Sequence, residues 1–513
     1  MLLGIQSCSD FLDIRPENET VLDDYWQSES QATAVLASAY RSLTLNDNVR
    51  RMFVWGEVRS DNVVAGASSE SDLTLILDGK ITPTNSYANW GFLYASINYC
   101  NTFLHYAPGV TNRDQNFSPI KLHALEAEAR ALRGLCYFYL VRTFKNVPLV
   151  TVPSINDNQD YFVGQSPERQ VLDTIIQDLK FAQIYAQADY TRGVYNKGRI
   201  TKSAVNAILA DVYLWDQQYD KCAETCDMVL ADTSLVLVNG EKVISDVFYK
   251  GNSRESIFEL QFDKDIQNSD AINSLIGRHL GGNILLGMVS YPPYLIRTGV
   301  YCPFNYKGTS VVESEKDIRE FTSYAADSKS GSGFIIYKYS VSDVKKSLTA
   351  TDTYIAQPRL TSDPVNWIVY RLSDVILMKA EALVQLNRDK TDLDVALRLV
   401  NRTYLRSNLN VDSLQSNNYS DQMNMEKLVL RERQRELLFE GKRWYDLLRM
   451  ARRKNDPTTL AYYLSSKISG NSLSKNKLSV MDALYMPVLK SEVDINSKLI
   501  QNPFYTDESL SNQ

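Results

Sequence analysis

Histidine is scarce in this chain: His105, His123 and His279 are the only three among its 513 residues. They lie far apart in the sequence, which argues against a histidine-based metal site or a histidine general base. Chemistry based on carboxylates stays open, because Asp and Glu together number 61. We therefore expect no metal ion and no cofactor.

A strong charge excess is also missing. Lys and Arg number 55 against 61 Asp and Glu, which gives a formal net charge of -6. Proteins that bind nucleic acid usually present a strongly basic face to the phosphates. The local basic clusters at 431–435 and 449–453 alternate with acids or end a predicted helix, so we interpret them as solvated or ion-paired helix faces. No nucleic-acid partner is expected.

The six cysteines form no CxxC pair and no disulfide framework. They stand at positions 8, 100, 136, 222, 226 and 302. Cys222 and Cys226 are four residues apart and share one face of a predicted helix. We interpret them as small apolar residues in a helix–helix contact rather than metal ligands, because no companion ligand lies nearby in the sequence.

Long hydrophobic runs are absent as well, and no segment approaches the ~20 apolar residues of a membrane-spanning helix. The first eight residues, MLLGIQSC, form a short apolar run that ends in Ser7 and Cys8. This run resembles the end of a bacterial lipoprotein signal, whose cysteine becomes the lipidated first residue. It lacks a basic n-region, so the start is assigned late or the upstream part is trimmed. We expect Cys8 to be lipidated and any membrane attachment to be through lipid alone.

Helical periodicity dominates two long regions. Segment 201–231 has large and small contact residues at the spacing of a tetratricopeptide-like hairpin, and 380–400 is a looser second copy. Two ordinary helical hairpins are the alternative. From about 233 to 365 this periodicity fades and turns multiply, while 256–262 and 334–339 alternate as short strands do. The chain also has 31 Tyr, and an aromatic, irregular insert on a helical scaffold is where we expect a ligand site.

Several motifs follow one another in the order found in one known family. They are EARALR (128–133), YFYL (137–140), FKNVPLV (144–150), GRITK (198–202), YRLSDVILMKAEA (370–382), ELLFEG (436–441), LYMP (484–487) and QNPFY (501–505). Together they resemble the SusD/RagB family, although Lys145 and Asn146 replace the usual Gly-Asp of its "GDVPLV" turn. The resemblance implies a mainly α, SusD-like fold: a tetratricopeptide-like helical-hairpin scaffold with an irregular, partly β, aromatic-rich insert.

This resemblance also implies a domain plan. Residues 1–8 would end a lipoprotein signal, 9–232 would form the N-terminal helical repeat region, and 233–365 would form the ligand-facing insert. Residues 366–513 would form the C-terminal helical region, with all parts in one compact unit.

The functional implication is a non-catalytic, lipid-anchored receptor at the cell surface. It would bind a nutrient, most often an oligosaccharide or polysaccharide, and deliver it to a SusC-like TonB-dependent transporter in the outer membrane. Some family members bind other nutrients, including peptides. Two alternatives are a glycosidase on a helical scaffold, which would need two carboxylates about 5–10 Å apart, and a soluble helical-repeat adaptor that binds a protein or peptide.

The candidate ligand residues come from two regions whose loops commonly face the ligand in that family. Aromatic rings can cover the apolar face of a sugar, while Asp and Asn can bind its hydroxyls. Trp90 is equally well explained as a core anchor, because Leu93, Tyr94 and Ile97 continue its helical face. The candidates are Asp72, Tyr87, Asn89, Trp90, Tyr291, Tyr294, Tyr301, Phe304 and Tyr306.

The segment from Glu432 to Arg449 is both highly charged and highly apolar. We predict a helix pair broken at Gly441, with charges paired between the two helices. Glu440 and Arg443 lie three residues apart, and Glu432 and Glu436 lie within reach of Arg435 and Arg433 on neighbouring turns. A catalytic carboxylate pair is the alternative. Carboxylates surrounded by arginines are held ionised, however, which favours a structural role.

Overall fold

The computed structural model describes nine stretches of the chain: residues 25–66, 68–155, 159–263, 285–287, 317–326, 334–347, 354–360, 363–464 and 478–506. These stretches contain the two predicted helical regions and part of the segment between them. The predicted lipidation site and five of the predicted ligand residues lie outside them, namely Cys8, Tyr291, Tyr294, Tyr301, Phe304 and Tyr306.

Helices make up most of the described chain. Their bounds are α1 Glu29–Leu43, α2 Asn46–Phe53, α3 Ser71–Leu77, α4 Gly91–Val110, α5 Pro119–Phe144, α6 Glu168–Tyr185, α7 Tyr195–Gly198, α8 Lys202–Trp215, α9 Tyr219–Leu230, α10 Ile318–Ser323, α11 Leu372–Leu386, α12 Lys390–Ser407, α13 Gln422–Glu436, α14 Arg443–Lys454, α15 Thr458–Leu464 and α16 Lys490–Ile495.

The long helices pack on one another largely in chain order. Helix α1 packs on α4, α4 on α5, and α5 on α6; the array continues from α6 to α8, α9 and α11. Helix α11 then contacts both α12 and α13. The two predicted hairpins are present as α8–α9 and α11–α12, and the mainly helical fold class is confirmed.

Capping side chains and proline define several helix ends. Ser118 Oγ accepts a hydrogen bond from the N–H of Lys121, and Pro119 occupies the first position of α5, where its missing N–H costs nothing. Helix α5 ends at Phe144, four residues before Pro148, which cannot continue a helix. Pro167 is the N-cap of α6 and directly precedes its first residue, Glu168.

Small side chains allow the helices to approach closely. Ala204, Ala207 and Ala210 of α8 are fully buried. Cys222 and Cys226 are also buried, on α9, which packs between α8 and α11. This burial is what the helix-contact interpretation of the two cysteines requires.

Within the described stretches, ten short strands form four small antiparallel sheets. Their order is β1-β5-β7-β6 in the largest sheet, with β10–β4, β2–β3 and β8–β9 as pairs. The two segments predicted as strands contain β4 and β7. The bounds are β1 Val63–Ala65, β2 Val147–Pro148, β3 Gln165–Ser166, β4 Ser256–Leu260, β5 Leu285–Gly287, β6 Tyr324–Ala326, β7 Phe334–Ile336, β8 Val341–Lys346, β9 Tyr354–Pro358 and β10 Trp367–Arg371.

Candidate functional site

Strand pairing joins the two regions that carry the predicted ligand residues. Strand β1, just before the segment that contains Asp72, pairs with β5 from the central insert, with Val63 opposite Gly287 and Ala65 opposite Leu285. Gly287 is also paired with Phe334 of β7, and β7 pairs with β6. One sheet therefore holds the chain at residues 285–287 and again at 324–326, together with the N-terminal region.

The two aromatic candidates of the N-terminal region are buried. Trp90 is 4% exposed, and its ring packs edge-on against Tyr94 and Phe144 at centroid distances of 6.0 and 5.1 Å. Tyr87 is also 4% exposed, and its hydroxyl accepts a hydrogen bond from Arg50 Nε at 2.8 Å. Neither ring has a free face for stacking on a ligand. The burial favours the core-anchor interpretation of Trp90 and is at odds with stacking by Tyr87.

The two polar candidates, Asp72 and Asn89, are half-buried, and each accepts a hydrogen bond from a backbone N–H group. Asp72 Oδ2 accepts a hydrogen bond from the N–H of Ser86 at 2.8 Å, and Asn89 Oδ1 accepts one from the N–H of Gly91 at 2.8 Å. A carboxylate has further acceptor positions beyond one such bond, and an amide also has two N–H donors. Ligand contacts by Asp72 and Asn89 therefore stay a prediction.

The approach to β1 is fixed by the turn between α13 and α14. Arg443 binds both carboxylate oxygens of Asp61, at 2.8 Å each. Glu57 accepts hydrogen bonds from the backbone N–H groups of Phe439 and Gly441, both at 3.0 Å. Burial raises the pKa of Glu57 to about 7, against the effect of these donors. The predicted Glu440–Arg443 pair is wrong, because Arg443 pairs with Asp61 instead.

Glu440 instead belongs to a buried charge cluster that attaches the central insert to the C-terminal helices. Arg371 donates to Glu440 Oε2 at 2.7 Å and to Glu436 Oε1 at 2.6 Å. From the insert, Lys338 reaches Glu440 at 2.7 Å, and Arg319 reaches Glu436 at 3.0 Å. Insert and helices thus share one set of ion pairs.

These carboxylates are not poised as acids. Burial alone would raise the pKa of Glu436, but the charges of Arg406, Arg371 and Arg319 hold it well below its usual range. Burial would also raise the pKa of Glu440, but the charges of Arg371 and Lys338 outweigh it and lower the pKa. A general acid needs a raised pKa, so the structural interpretation of this segment fits the geometry better than a catalytic pair.

Matches to known families cover both halves of the chain. A family model described as "SusD family" matches residues 306–505. A second, described as "Starch-binding associating with outer membrane", is a SusD-like model that matches residues 10–214. The chain belongs to the SusD family.

SusD-like relatives match along most of their length. A SusD-like protein of Formosa agariphila is 25% identical over 479 residues, which cover 87% of this chain and 89% of the relative. A SusD-like protein of Bacteroides ovatus is 25% identical over 469 residues, 86% of this chain and 79% of the relative.

Solved structures of SusD proteins share the fold. A SusD homologue from Bacteroides thetaiotaomicron superposes with a TM-score of 0.71 at 21% identity, covering 94% of this chain and 98% of that one. A laminarin-binding SusD-like protein superposes with a TM-score of 0.66 at 21% identity, covering 93% and 100%.

The SusD-family motifs of this chain coincide with its buried charge cluster. Arg371, Glu436, Glu440 and Arg443 all lie within the motif segments or directly beside them, and each is at most 2% exposed. The density of charges in the sequence pointed to such a cluster. The sequence-based prediction did not include Asp61 and Arg319, because these residues come from distant segments and no motif or regular spacing marks them.

Across the nine described stretches, no helix is both long enough and apolar enough to cross a membrane.

Proposed function

We propose that this SusD-family protein binds a glycan at the outer membrane without cleaving it and passes it to a SusC-like TonB-dependent transporter. The main support is the match of residues 10–214 to the family model described as starch-binding and associating with outer membrane. The laminarin-binding structural neighbour has the same fold, which makes a glucan a reasonable first ligand to test. We propose Cys8 as the lipid anchor.

We place the ligand site beside the sheet that contains β1 and β5. This sheet holds the chain at residues 285–287 and 324–326. The segment between these strands contains five aromatic residues of the prediction, namely Tyr291, Tyr294, Tyr301, Phe304 and Tyr306. Stacking of a sugar on such a ring and hydrogen bonding by Asp72 and Asn89 would give the mixed apolar and polar contact that a glycan needs.

Binding without hydrolysis is favoured by the state of the two buried acids in the charge cluster around Arg371. Glu436 and Glu440 are each held by arginine or lysine, and both have lowered pKa values. A glycosidase pair needs one carboxyl group that stays protonated near neutral pH. The buried cluster offers no such group, and it serves to join two parts of the fold.

The test combines binding and hydrolysis on the same samples. Wild-type protein is run in native gels containing laminarin, starch, xylan or mannan, and each mixture is assayed for new reducing ends. We expect retardation by at least one polysaccharide and no release of reducing ends. Hydrolysis by purified protein would support the glycosidase alternative, and an absence of retardation in every gel would overturn glycan binding.

Alanine variants of the five insert aromatics locate the site. A ring that stacks on the glycan should cost ~1–3 kcal/mol of binding free energy on truncation, with the melting temperature nearly unchanged. Trp90→Ala is the matched core control, for which we expect a loss of stability because its ring is buried. If every insert variant loses stability and none selectively weakens binding, the site lies elsewhere on the molecule.

A further inference from the structure

Two clefts lie on either side of helix α7. The first has a volume of about 710 Å³ and lies between α1, residues 194–199 and the end of β4. The second, of about 730 Å³, lies between the ends of α6, α8 and α9 and residues 252–257. Asn252 borders both clefts. Both volumes are in the range of ligand pockets, and the described residues that line them belong neither to the β1-β5-β7-β6 sheet nor to segment 66–90.

The first cleft combines an exposed ring with a pair of amides. Tyr195 is 41% exposed. Asn252 and Gln261 donate to each other's side-chain oxygens, at 2.9 Å in both directions. Among the hydrogen bonds of the described chain, Asn252 Nδ2 donates one, to Gln261, so its second N–H is available to a ligand. An aromatic platform beside an amide donor matches the two faces of a sugar, which are apolar C–H groups and hydroxyls.

The second cleft is polar and carries charges of both signs. Asp232 Oδ2 accepts a hydrogen bond from Ser203 Oγ at 2.6 Å, and its Oδ1 accepts one from Ser234 Oγ at 2.6 Å. Three basic residues, Lys197, Lys202 and Arg254, line the same space as two acids, Asp189 and Asp232. Because acids and bases nearly balance, the cleft suits a neutral, hydroxyl-rich ligand better than an anion or a cation.

We propose that the two clefts together form a second binding site for a neutral oligosaccharide. One sugar ring stacks on Tyr195, and hydroxyl groups of the same chain bind at Asn252 and Asp232. The proposed occupant is a chain rather than a single sugar: Asn252 lines both clefts, so a chain that reaches from one cleft to the other would pass this residue. This proposal rests on the proposed glycan-binding function and adds a site separate from the insert aromatics.

Two substitutions remove ligand groups from this site while keeping the backbone in place. Tyr195→Ala deletes the exposed ring. Asn252 has a φ of 52°, a left-handed conformation that glycine adopts readily, so Asn252→Gly deletes the amide while keeping the backbone. Tyr185→Ala is the matched control, because Tyr185 is equally exposed at 41% and lines neither cleft.

Calorimetric titration with laminarihexaose, maltohexaose, cellohexaose and xylohexaose tests the proposal. For the hexasaccharide that wild type binds, we expect two equivalents per chain. Tyr195→Ala should weaken one of them about ten-fold, Asn252→Gly should weaken the same one, and Tyr185→Ala should change neither. The melting temperatures of Tyr195→Ala and Tyr185→Ala should stay close to that of wild type, and that of Asn252→Gly should be slightly lower, because its two hydrogen bonds to Gln261 are lost.

The outcomes separate the two proposals. Binding of one equivalent that neither cleft variant alters would overturn the second site and leave glycan binding intact. An absence of binding to all four hexasaccharides would overturn both. If a tryptic digest of casein is bound instead, and Tyr195→Ala abolishes that binding, the clefts form a peptide site and the oligosaccharide assignment is wrong.

Discussion

Arg443 pairs with a residue 382 positions away in the chain. Sequence spacing predicted Glu440 as its partner, since residues three apart on one helix are neighbours. The two residues are not on one helix, however: Phe439 and Gly441 have φ values of 65° and 71°, and α14 begins only at Arg443. This left-handed turn places Glu440 beside Arg371 and Arg443 beside Asp61.

We expect Arg443→Ala to destabilise the protein by about 3 kcal/mol, because it leaves the buried Asp61 carboxylate without the positive charge that neutralises it. Urea unfolding monitored by circular dichroism measures the loss. Arg388→Ala is the matched control. The Arg388 side chain pairs with Asp392 but is 59% exposed, and exposed ion pairs contribute little to stability. Equal stability of both variants would mean that the Arg443 segment is a solvated face.

Glu381 should make stability depend on pH. Burial raises the pKa of its carboxyl, but Arg449 and Arg453 outweigh burial and lower the pKa to about 2 from 4.5. A lowered pKa in the folded state means that the stabilisation is complete above about pH 4.5 and is lost as pH falls toward 2. We expect the stability deficit of Glu381→Gln relative to wild type to shrink by about 1 kcal/mol per pH unit below 4.5.

Urea unfolding at pH 6 and at successively lower pH measures this deficit. Glu224→Gln, at a solvent-exposed position, is the control and should show a constant difference from wild type. A deficit for Glu381→Gln that stays constant with pH would contradict the charge pairing with Arg449.

At the scale of the elements, the break between α13 and α14 is where distant segments meet. The sequence predicted this break at Gly441, and α13 ends at Glu436. The sequence did not predict that the π-helical turn Val54–Val58 packs against it. A Cβ on Gly56 would lie 1.9 Å from the backbone oxygen of Gly441, so glycine is required here for close approach rather than for flexibility.

We therefore expect Gly56→Ala to destabilise the protein by about 3 kcal/mol or more, because the contact is with backbone that cannot move aside. Gly109→Ala is the control: it lies in α4, and its added Cβ would meet nothing within 4 Å. That variant should be neutral or slightly stabilised, since alanine favours helix. Thermal melts of the two variants provide the comparison, and similar melting temperatures would contradict the close packing at Gly56.

At the scale of the whole molecule, buried charges connect regions that the sequence separated. Arg319 and Lys338 come from the predicted insert, and Glu432, Glu436 and Glu440 come from the C-terminal helical region. The insert is therefore attached by ion pairs as well as by the pairing of β4 with β10. The domain boundaries themselves stay a prediction.

Membrane attachment through Cys8 is a prediction about the whole molecule. In cells that express the full-length gene and are fed a fatty-acid probe, Cys8→Ala should abolish labelling and release the protein from the membrane fraction. Ser9→Ala should label as wild type does. Undiminished labelling of Cys8→Ala would show that another residue carries the lipid or that the probe reports something else.

Sequence by itself determined the helical hairpins, the break at Gly441 and the family, because these depend on local periodicity, turn residues and motif order. Tertiary structure decided which partner each buried charge has. It also put Trp90 in the core and brought α7, β4 and Asn252 together around two clefts. Such contacts join residues far apart in the chain, and neither spacing nor propensity encodes which face of a packed element meets another. Position in the fold, rather than residue type, therefore distinguishes a buried ring from one that is available to a ligand.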